Sequence, residues 1–282
     1  MDWLAEGLVS GAVYALVALG LSLLLGIMKV VNLAHGSFYA LGAFLAYTLN
    51  ARWGINPPAA LPVAMGAAFL LGAGTELIAI RPVRLHPTTV AVVTLTFGIL
   101  MEQVMLLVWG PFYLSIPTFL PTLSLGGSWW NLHQLTAAGL AVAIIAVIFL
   151  FLRTMAGLAV RLVAEDEEQA TLVGIDVDKV QTVVFGLSCA LAAAGGALTA
   201  PLRAIYPTMG RVPMIVSLAI VILGGLGNIE GSLYAGAIFG LASYLIGLYL
   251  GAQWSYIGAL ALIIVSLVVR PAGLLGRAVL RD

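Results

Sequence analysis

The chain has few groups able to do chemistry, and those set inside apolar sequence stand out. His35 opens "HGSFYALGAFLAY" with Ser37 two positions on; Glu230 opens "EGSLYAGAIFG" with Ser232 behind it; Ser188 lies in a third apolar run. A serine served by a histidine is the core of nucleophilic catalysis. On a helix, however, residues two apart point about 200° away from each other, so His35 and Ser37 face different sides. An intramembrane enzyme is therefore the weakest reading, and no catalytic residue and no metal site is assigned. The other chemistry open to His35 and Glu230 is proton exchange, because an ionisable side chain within a membrane is costly and functional by default. A stand-alone secondary carrier with a proton-coupling His or Glu is thus one alternative.

The membrane is implied by composition. Of 282 residues, 62% are hydrophobic and only 9% charged; an ordinary soluble domain carries roughly a quarter charged residues. The apolar runs are long and lack strict alternation, which gives helices and not barrel strands. The fold class is an all-α polytopic membrane protein. Lys+Arg and Asp+Glu are both 12, which gives no basic excess for nucleic acid. Cys189 is the single cysteine and forms no disulfide within the chain. The opening "MDWLAEG" has no basic stretch, so a cleaved signal peptide is not expected.

Runs bounded by charges and turn residues predict spans at about 6–28, 34–50, 57–80, 88–109, 133–153, 182–201, 212–227, 232–250 and 254–269. The second, seventh and ninth are short for a crossing and are expected to be tilted, broken or re-entrant, so eight or nine helices span. Basic residues at Arg81, Arg84, Arg153, Arg161, Lys179, Arg270, Arg277 and Arg281 place their segments in the cytoplasm. Segment 110–132 then lies outside, with Trp129 and Trp130 suited to the interface. Arg52, Arg203 and Arg211 also fall outside and run against the scheme. Glu76 lies about one turn from Arg81, so a local ion pair is expected. Glu102 and Gln103 sit near the outer end of their span and are expected to meet a partner, a binding protein or water.

The two apolar phrases are near copies. "NLAHGSFYA" (32–40) aligns with "NIEGSLYA" (228–235) after one deletion. Asn32 pairs with Asn228, Gly36 with Gly231, Ser37 with Ser232 and Tyr39 with Tyr234; His35 stands opposite Glu230. Each reads as a helix restart: Asn and Ser can cap a helix, and Gly tolerates a broken backbone. With nine spans the copies run the same way, as an internal parallel repeat. Two uses are open, close helix packing through small residues or a pathway lined by broken helices. His35 and Glu230 are placed near the cytoplasmic mouth as gate or interface residues, ahead of proton coupling. Thr94 and Thr96 are expected to bond their own helix backbone.

Several stretches together carry a resemblance: "NLAHGSFYALGAFLAY", "RPVR" (81–84), "VRLVAEDEEQATLVGIDVDKVQTVVFGLSCALAAAGGALTAP" (160–201), "GGLGNIEGSLYAGAIFG" (224–240) and "RPAGLLG" (270–276). In order and spacing, this set resembles the membrane subunits of branched-chain amino-acid ABC importers, the Liv-type permeases. The early His-Gly motif and the length favour the H-type subunit over the M-type. The resemblance implies one transmembrane permease domain over 1–282. It also implies a cytoplasmic loop, 153–182, that docks a partner ATPase through Glu165, Asp166, Glu167, Glu168, Ala170, Gly174 and Ile175. The start of that loop, "AEDEEQA", is more acidic than the family pattern. Implied partners are a second permease subunit, two ATPase subunits that hold ATP and magnesium, an extracytoplasmic solute-binding protein and the bilayer of a prokaryotic cytoplasmic membrane. This chain itself is expected to bind no cofactor; it has no Gly-rich phosphate loop ending in Lys-Ser/Thr. Pathway or gate candidates are Asn32, His35, Ser37, Tyr39, Thr94, Thr96, Asn228, Glu230, Ser232 and Tyr234. Permeases for urea or short amides also resemble this family and remain an alternative.

Overall fold

The structure, a computed structural model, describes residues 2–117, 121–125, 128–269 and 273–275. In the described residues eleven α-helices follow one another: α1 (Asp2–Met28), α2 (His35–Trp53), α3 (Pro57–Thr75), α4 (Pro87–Trp109), α5 (Leu132–Leu152), α6 (Met155–Glu165), α7 (Glu167–Leu172), α8 (Val177–Thr199), α9 (Arg211–Gly224), α10 (Ile229–Leu250) and α11 (Ser255–Val269). Nine of them, all but α6 and α7, coincide with the nine predicted runs. Their ends follow local chemistry. Prolines open α3 and α4 at the first turn, where the missing N–H costs no helical bond. Asn131 and Asp176 cap α5 and α8 by accepting the backbone N–H groups of His133 and Lys179. Gly54, in the left-handed conformation, ends α2, as glycine alone does without strain.

Among the described residues, six helical segments are long and apolar enough to cross a bilayer: Gly7–Met28, Pro57–Val83, Pro87–Trp109, Leu132–Leu152, Val177–Thr199 and Ile229–Leu250. The second continues past α3 through a π-helical turn, Glu76–Ile80, and a 3-10 turn, Arg81–Val83. α9 has 14 residues, a rise of about 21 Å against the roughly 30 Å of hydrocarbon. It is a half-helix preceded by non-helical chain over 200–210. The predicted outer segment is not all coil: strands β1 (Thr122–Leu125) and β2 (Ser128–Asn131) form an antiparallel hairpin. Leu114 and Ile205 also exchange backbone bonds of 2.8 and 2.9 Å, which tie the segment before the hairpin to the chain after α8. Arg270, Arg277 and Arg281 lie outside the described residues.

The core is built around α8. It is 83% enclosed by the rest of the chain, against 33% for α4 and 28% for α5 and α10. Its run of small residues, Ala192–Ala193–Ala194–Gly195–Gly196–Ala197, lets α1, α2 and α3 approach closely. At Gly196, a Cβ atom would lie 1.8 Å from the carbonyl oxygen of Tyr39. The outward sides of α4, α5 and α10 are apolar and uncovered within this chain, as surfaces for lipid or partner subunits must be.

Candidate functional site

The first copy of the repeated phrase sits at a junction of helix starts. Asn32 is buried; its Oδ1 accepts the N–H of Ala34, and its Nδ2 lies 3.8 Å from Cys189 Sγ. His35, fully buried, places Nε2 3.0 Å from the carbonyl oxygen of Val17, half-way along α1. A carbonyl only accepts, so Nε2 carries the hydrogen and Nδ1 has no partner among the described residues. Ser37 Oγ donates to Gly98 O at 3.0 Å, and Thr94 Oγ1 donates to Ala91 O while accepting the N–H of Leu33. Thr94 therefore bonds its own helix backbone as expected, whereas Thr96 is exposed on the other side of α4 and makes no such bond. His35 and Ser37 bond different helices and not each other. His35 also lies deeper than the mouth position read from sequence, because α2 starts beside the middle of α1. The start of α9 meets it there: a Cβ on Gly36 would lie 2.4 Å from the oxygen of Gly210, the residue preceding α9.

The second copy opens α10 at the other end of the same half-helix. Asn228 Oδ1 caps Gly231 N at 2.9 Å, and Ser232 Oγ donates to Asn228 O. A Cβ on Gly231 would lie 2.0 Å from the oxygen of Gly224, the last residue of α9. Residues 273–275 of the C-terminal motif close this end: the N–H of Leu274 bonds Leu223 O at 2.7 Å, and Asn228 Nδ2 bonds Leu275 O. Glu230 and Tyr234 are exposed. Gly227 packs on Gly26, near the end of α1, nine residues beyond Val17 and thus roughly 13 Å away along the axis. The two ionisable residues of the repeat are not a pair.

Between the start of α2, α4 and α9 runs an open groove of about 420 Å³, lined by Gly36, Ser37, Gly98, Glu102, Arg211 and Met214 among others. Glu102 and Arg211 form a two-pronged ion pair across it, with Nε–Oε1 3.1 Å and Nη2–Oε2 2.6 Å. Glu102 therefore meets a partner inside its own chain, contrary to the expectation from sequence. The same pair gives the charge of Arg211 a counter-ion inside the chain. Spacing gave no sign of it, since the two residues are 109 apart.

At the far end from the N-terminus of α1, α6 and α7 form a surface platform. Glu165, Glu167 and Glu168 are exposed, Asp166 is half-buried and Ala170 buried. Asp166 caps α7 through the N–H groups of Glu168 and Gln169; the Gln169 bond, above the others, holds its carboxyl below the ordinary range. Gly174, at φ +83°, stops α7; the N–H of Ile175 reaches back to Ala170 O at 3.0 Å, a Schellman-type end. Leu172 and Val173 next to it are 82% and 70% exposed, an apolar spot rimmed by acids. The platform is tethered to "RPVR". Arg81 bonds Glu76, Thr182 Oγ1 (2.6 Å) and Asp178 O, while Arg84 bonds Asp178 and Gln181, and Gln181 in turn bonds Glu167. The expected Glu76–Arg81 pair is present at 3.3 Å. Asp178, Gln181 and Thr182 were not among the residues picked from sequence.

Residues 3–267 match the family described as branched-chain amino acid transport system / permease component. The chain belongs to this family. The high-affinity branched-chain amino acid transport system permease protein BraD of Pseudomonas aeruginosa is 30% identical over 298 residues, covering 98% of this chain and 96% of BraD. The corresponding protein LivH of Escherichia coli (strain K12) is 29% identical, with 96% and 94% covered. LivM of the same strain is 26% identical and covers 93% of this chain but only 68% of LivM, so the chain is of the H type. In fold, it resembles PsaBC of Streptococcus pneumoniae, solved in complex with Fab, at 13% identity and a TM-score of 0.50 over 96% of this chain and 93% of that one. It is a multi-pass membrane permease component.

Proposed function

We propose that this chain is the H-type permease subunit of a prokaryotic ABC importer of branched-chain amino acids. The observation that carries the reading is similarity along the whole chain to LivH and BraD, whose names state that transport. In this reading the chain catalyses nothing and binds no nucleotide; ATP and magnesium belong to two separate ATPase subunits in the cytoplasm. A solute-binding protein delivers substrate at the opposite face, and a second permease subunit completes the pathway in the cytoplasmic membrane.

The geometry suits these roles. The α6–α7 platform offers exposed acids, Glu165, Glu167 and Glu168, around Leu172 and Val173. An ATPase surface of basic residues around an apolar pocket would complement it. Because Arg81 and Arg84 bond the first turns of α8, and Gln181 there bonds Glu167 of α7, motion of an ATPase would pass to the helices as a rigid-body displacement. The groove at Gly36, Ser37 and the Glu102–Arg211 pair faces out of the chain and would be one wall of the pathway, with the second permease subunit as the other. The test is L-leucine uptake into proteoliposomes. The chain with its partner permease, ATPases and binding protein is expected to accumulate leucine only with ATP. Uptake by the chain alone without ATP would overturn the reading.

A further inference from the structure

Among the described residues, Glu76 is the one carboxylate with no accessible surface. It opens the π-helical turn Glu76–Ile80 that interrupts the span begun by α3. In an α-helix, residues five apart lie about 140° apart around the axis, and Glu76 and Arg81 would point away from each other. The π turn closes on bonds five residues apart, here from the N–H of Arg81 to Glu76 O, and brings both side chains to the same side. Nε and Nη2 of Arg81 then reach Oε1 and Oε2 of Glu76 at 3.4 and 3.3 Å. The extra residue in the turn is what makes this ion pair, and single π turns of this kind recur at functional sites.

The pair reaches across to α8. Thr182 Oγ1, in the second turn of α8, has its shortest acceptor in Glu76 Oε2, at 2.6 Å, and accepts from Arg81 Nη2 at 2.6 Å; the same Nη2 reaches Asp178 O at 3.2 Å. A buried carboxylate is costly without its partners, so Glu76 holds Arg81 in one orientation, aimed at α8. Arg84 also bonds Asp178, but both side chains of that pair are partly exposed, where ion pairs hold weakly. The enclosed part of the attachment is Glu76–Arg81–Thr182. What it attaches is α4. Three residues separate the 3-10 turn Arg81–Val83 from Pro87. α4 packs mainly on α2, is only 33% enclosed, and carries Gly98 and Glu102 in the wall of the groove.

We propose that Glu76 is the positioning residue through which the α6–α7 platform moves α4. Its carboxylate fixes Arg81 against α8, so the turn before α4 follows α7 and α8 as one body, and α4 shifts the wall of the groove. The inference rests on the transport reading for the use made of this movement. The mechanical link between the turn and α8 does not depend on it.

The test uses the purified full transporter in proteoliposomes. In a Cys189→Ala background, spin labels are placed at Leu85→Cys, in the turn before α4, and Lys179→Cys, in the first turn of α8, both exposed. Their separation is measured by double electron–electron resonance without nucleotide and after trapping with ATP and vanadate; leucine uptake per ATP hydrolysed is measured on unlabelled protein. Wild type is expected to give one narrow distance, the same in both states. Glu76→Gln and Thr182→Val are expected to broaden the distribution at least twofold and to lower uptake per ATP at least fivefold, with ATP hydrolysis and ATPase co-purification within twofold of wild type. Glu76→Gln with Arg81→Gln leaves no unpaired buried charge and is expected to stay as uncoupled as Glu76→Gln; recovery of wild-type coupling would reduce the pair to charge compensation and overturn the proposal. A narrow, unchanged distance in Thr182→Val would overturn it whether or not any Glu76 variant folds, as would a wild-type distance that changes on trapping. Loss of ATPase co-purification with Glu76→Gln would make the residue part of the docking surface and also overturn it. The expected distances in wild type and variants, with no ATP-driven leucine uptake by wild type, would instead count against the transport reading alone.

Discussion

The same phrase is used at the two ends of one half-helix, and its residues fare differently in the two places. At the glycine step the copies agree. Gly36 is pressed against Gly210 before α9, and Gly231 against Gly224 at its end. At the polar positions they part. Asn32, His35 and Tyr39 are buried in the junction of α1, α2 and α8, while Glu230 and Tyr234 are exposed at the surface end of α10. The comparison teaches that what the repeat keeps is close backbone packing. Its ionisable position is free to differ, because only one of the two lies in the interior.

The most disruptive changes should be those that attack what the copies share. Gly36→Val and Gly231→Val each force a branched side chain to within 2.4 and 2.0 Å, at its first atom, of a backbone oxygen. Overpacking of this kind costs about 1–3 kcal/mol or more. Both variants should lose monodisperse protein on size exclusion and melt lower; tolerance of one but not the other would break the symmetry claimed here. Next come changes that separate the copies. His35→Ala removes a buried bond to Val17 O and should lower the melting temperature clearly, whereas Glu230→Ala should stay within about 0.5 kcal/mol of wild type. The reverse order in thermal melts would contradict the placement of the two residues. Asn228→Ala, which loses a helix cap at the less buried copy, should cost about 1 kcal/mol, and Asn32→Ala more, since Asn32 is enclosed. At the platform the cost to the fold is again small. Gly174→Ala meets no atom within 4 Å but must hold φ at +83°, a strain of about 1 kcal/mol. It should spare the fold and weaken co-purification of the ATPase; undiminished co-purification would count against the platform as the docking surface.

Much of the helical layout was legible because span length and hydrophobicity are local properties. The run read as 88–109 is α4, Pro87–Trp109, and the run read as 57–80 opens with α3 at Pro57. Depth was not. Periodicity shows that a helix begins near His35 but not that it begins beside the middle of α1; that follows from α9 being short and meeting Gly36 at Gly210. The Glu102–Arg211 pair and the ties of Arg84 to Asp178 and Gln181 join residues 94 to 109 apart, so no local pattern announces them. The hairpin at 122–131 was missed for a related reason. Its strands are only four residues each, and their pairing partner is each other and not a sheet with a periodic face.

The central claim, one phrase at two depths, is most directly tested by labelling with a membrane-impermeant maleimide. In a Cys189→Ala background, single cysteines are placed at His35, Glu230 and Glu168 and probed in right-side-out and inside-out vesicles of the assembled transporter without ATP. Glu230→Cys and Glu168→Cys should both label from the cytoplasmic side only, and His35→Cys from neither side. Labelling of His35→Cys as fast as Glu230→Cys, from the same side, would contradict the account.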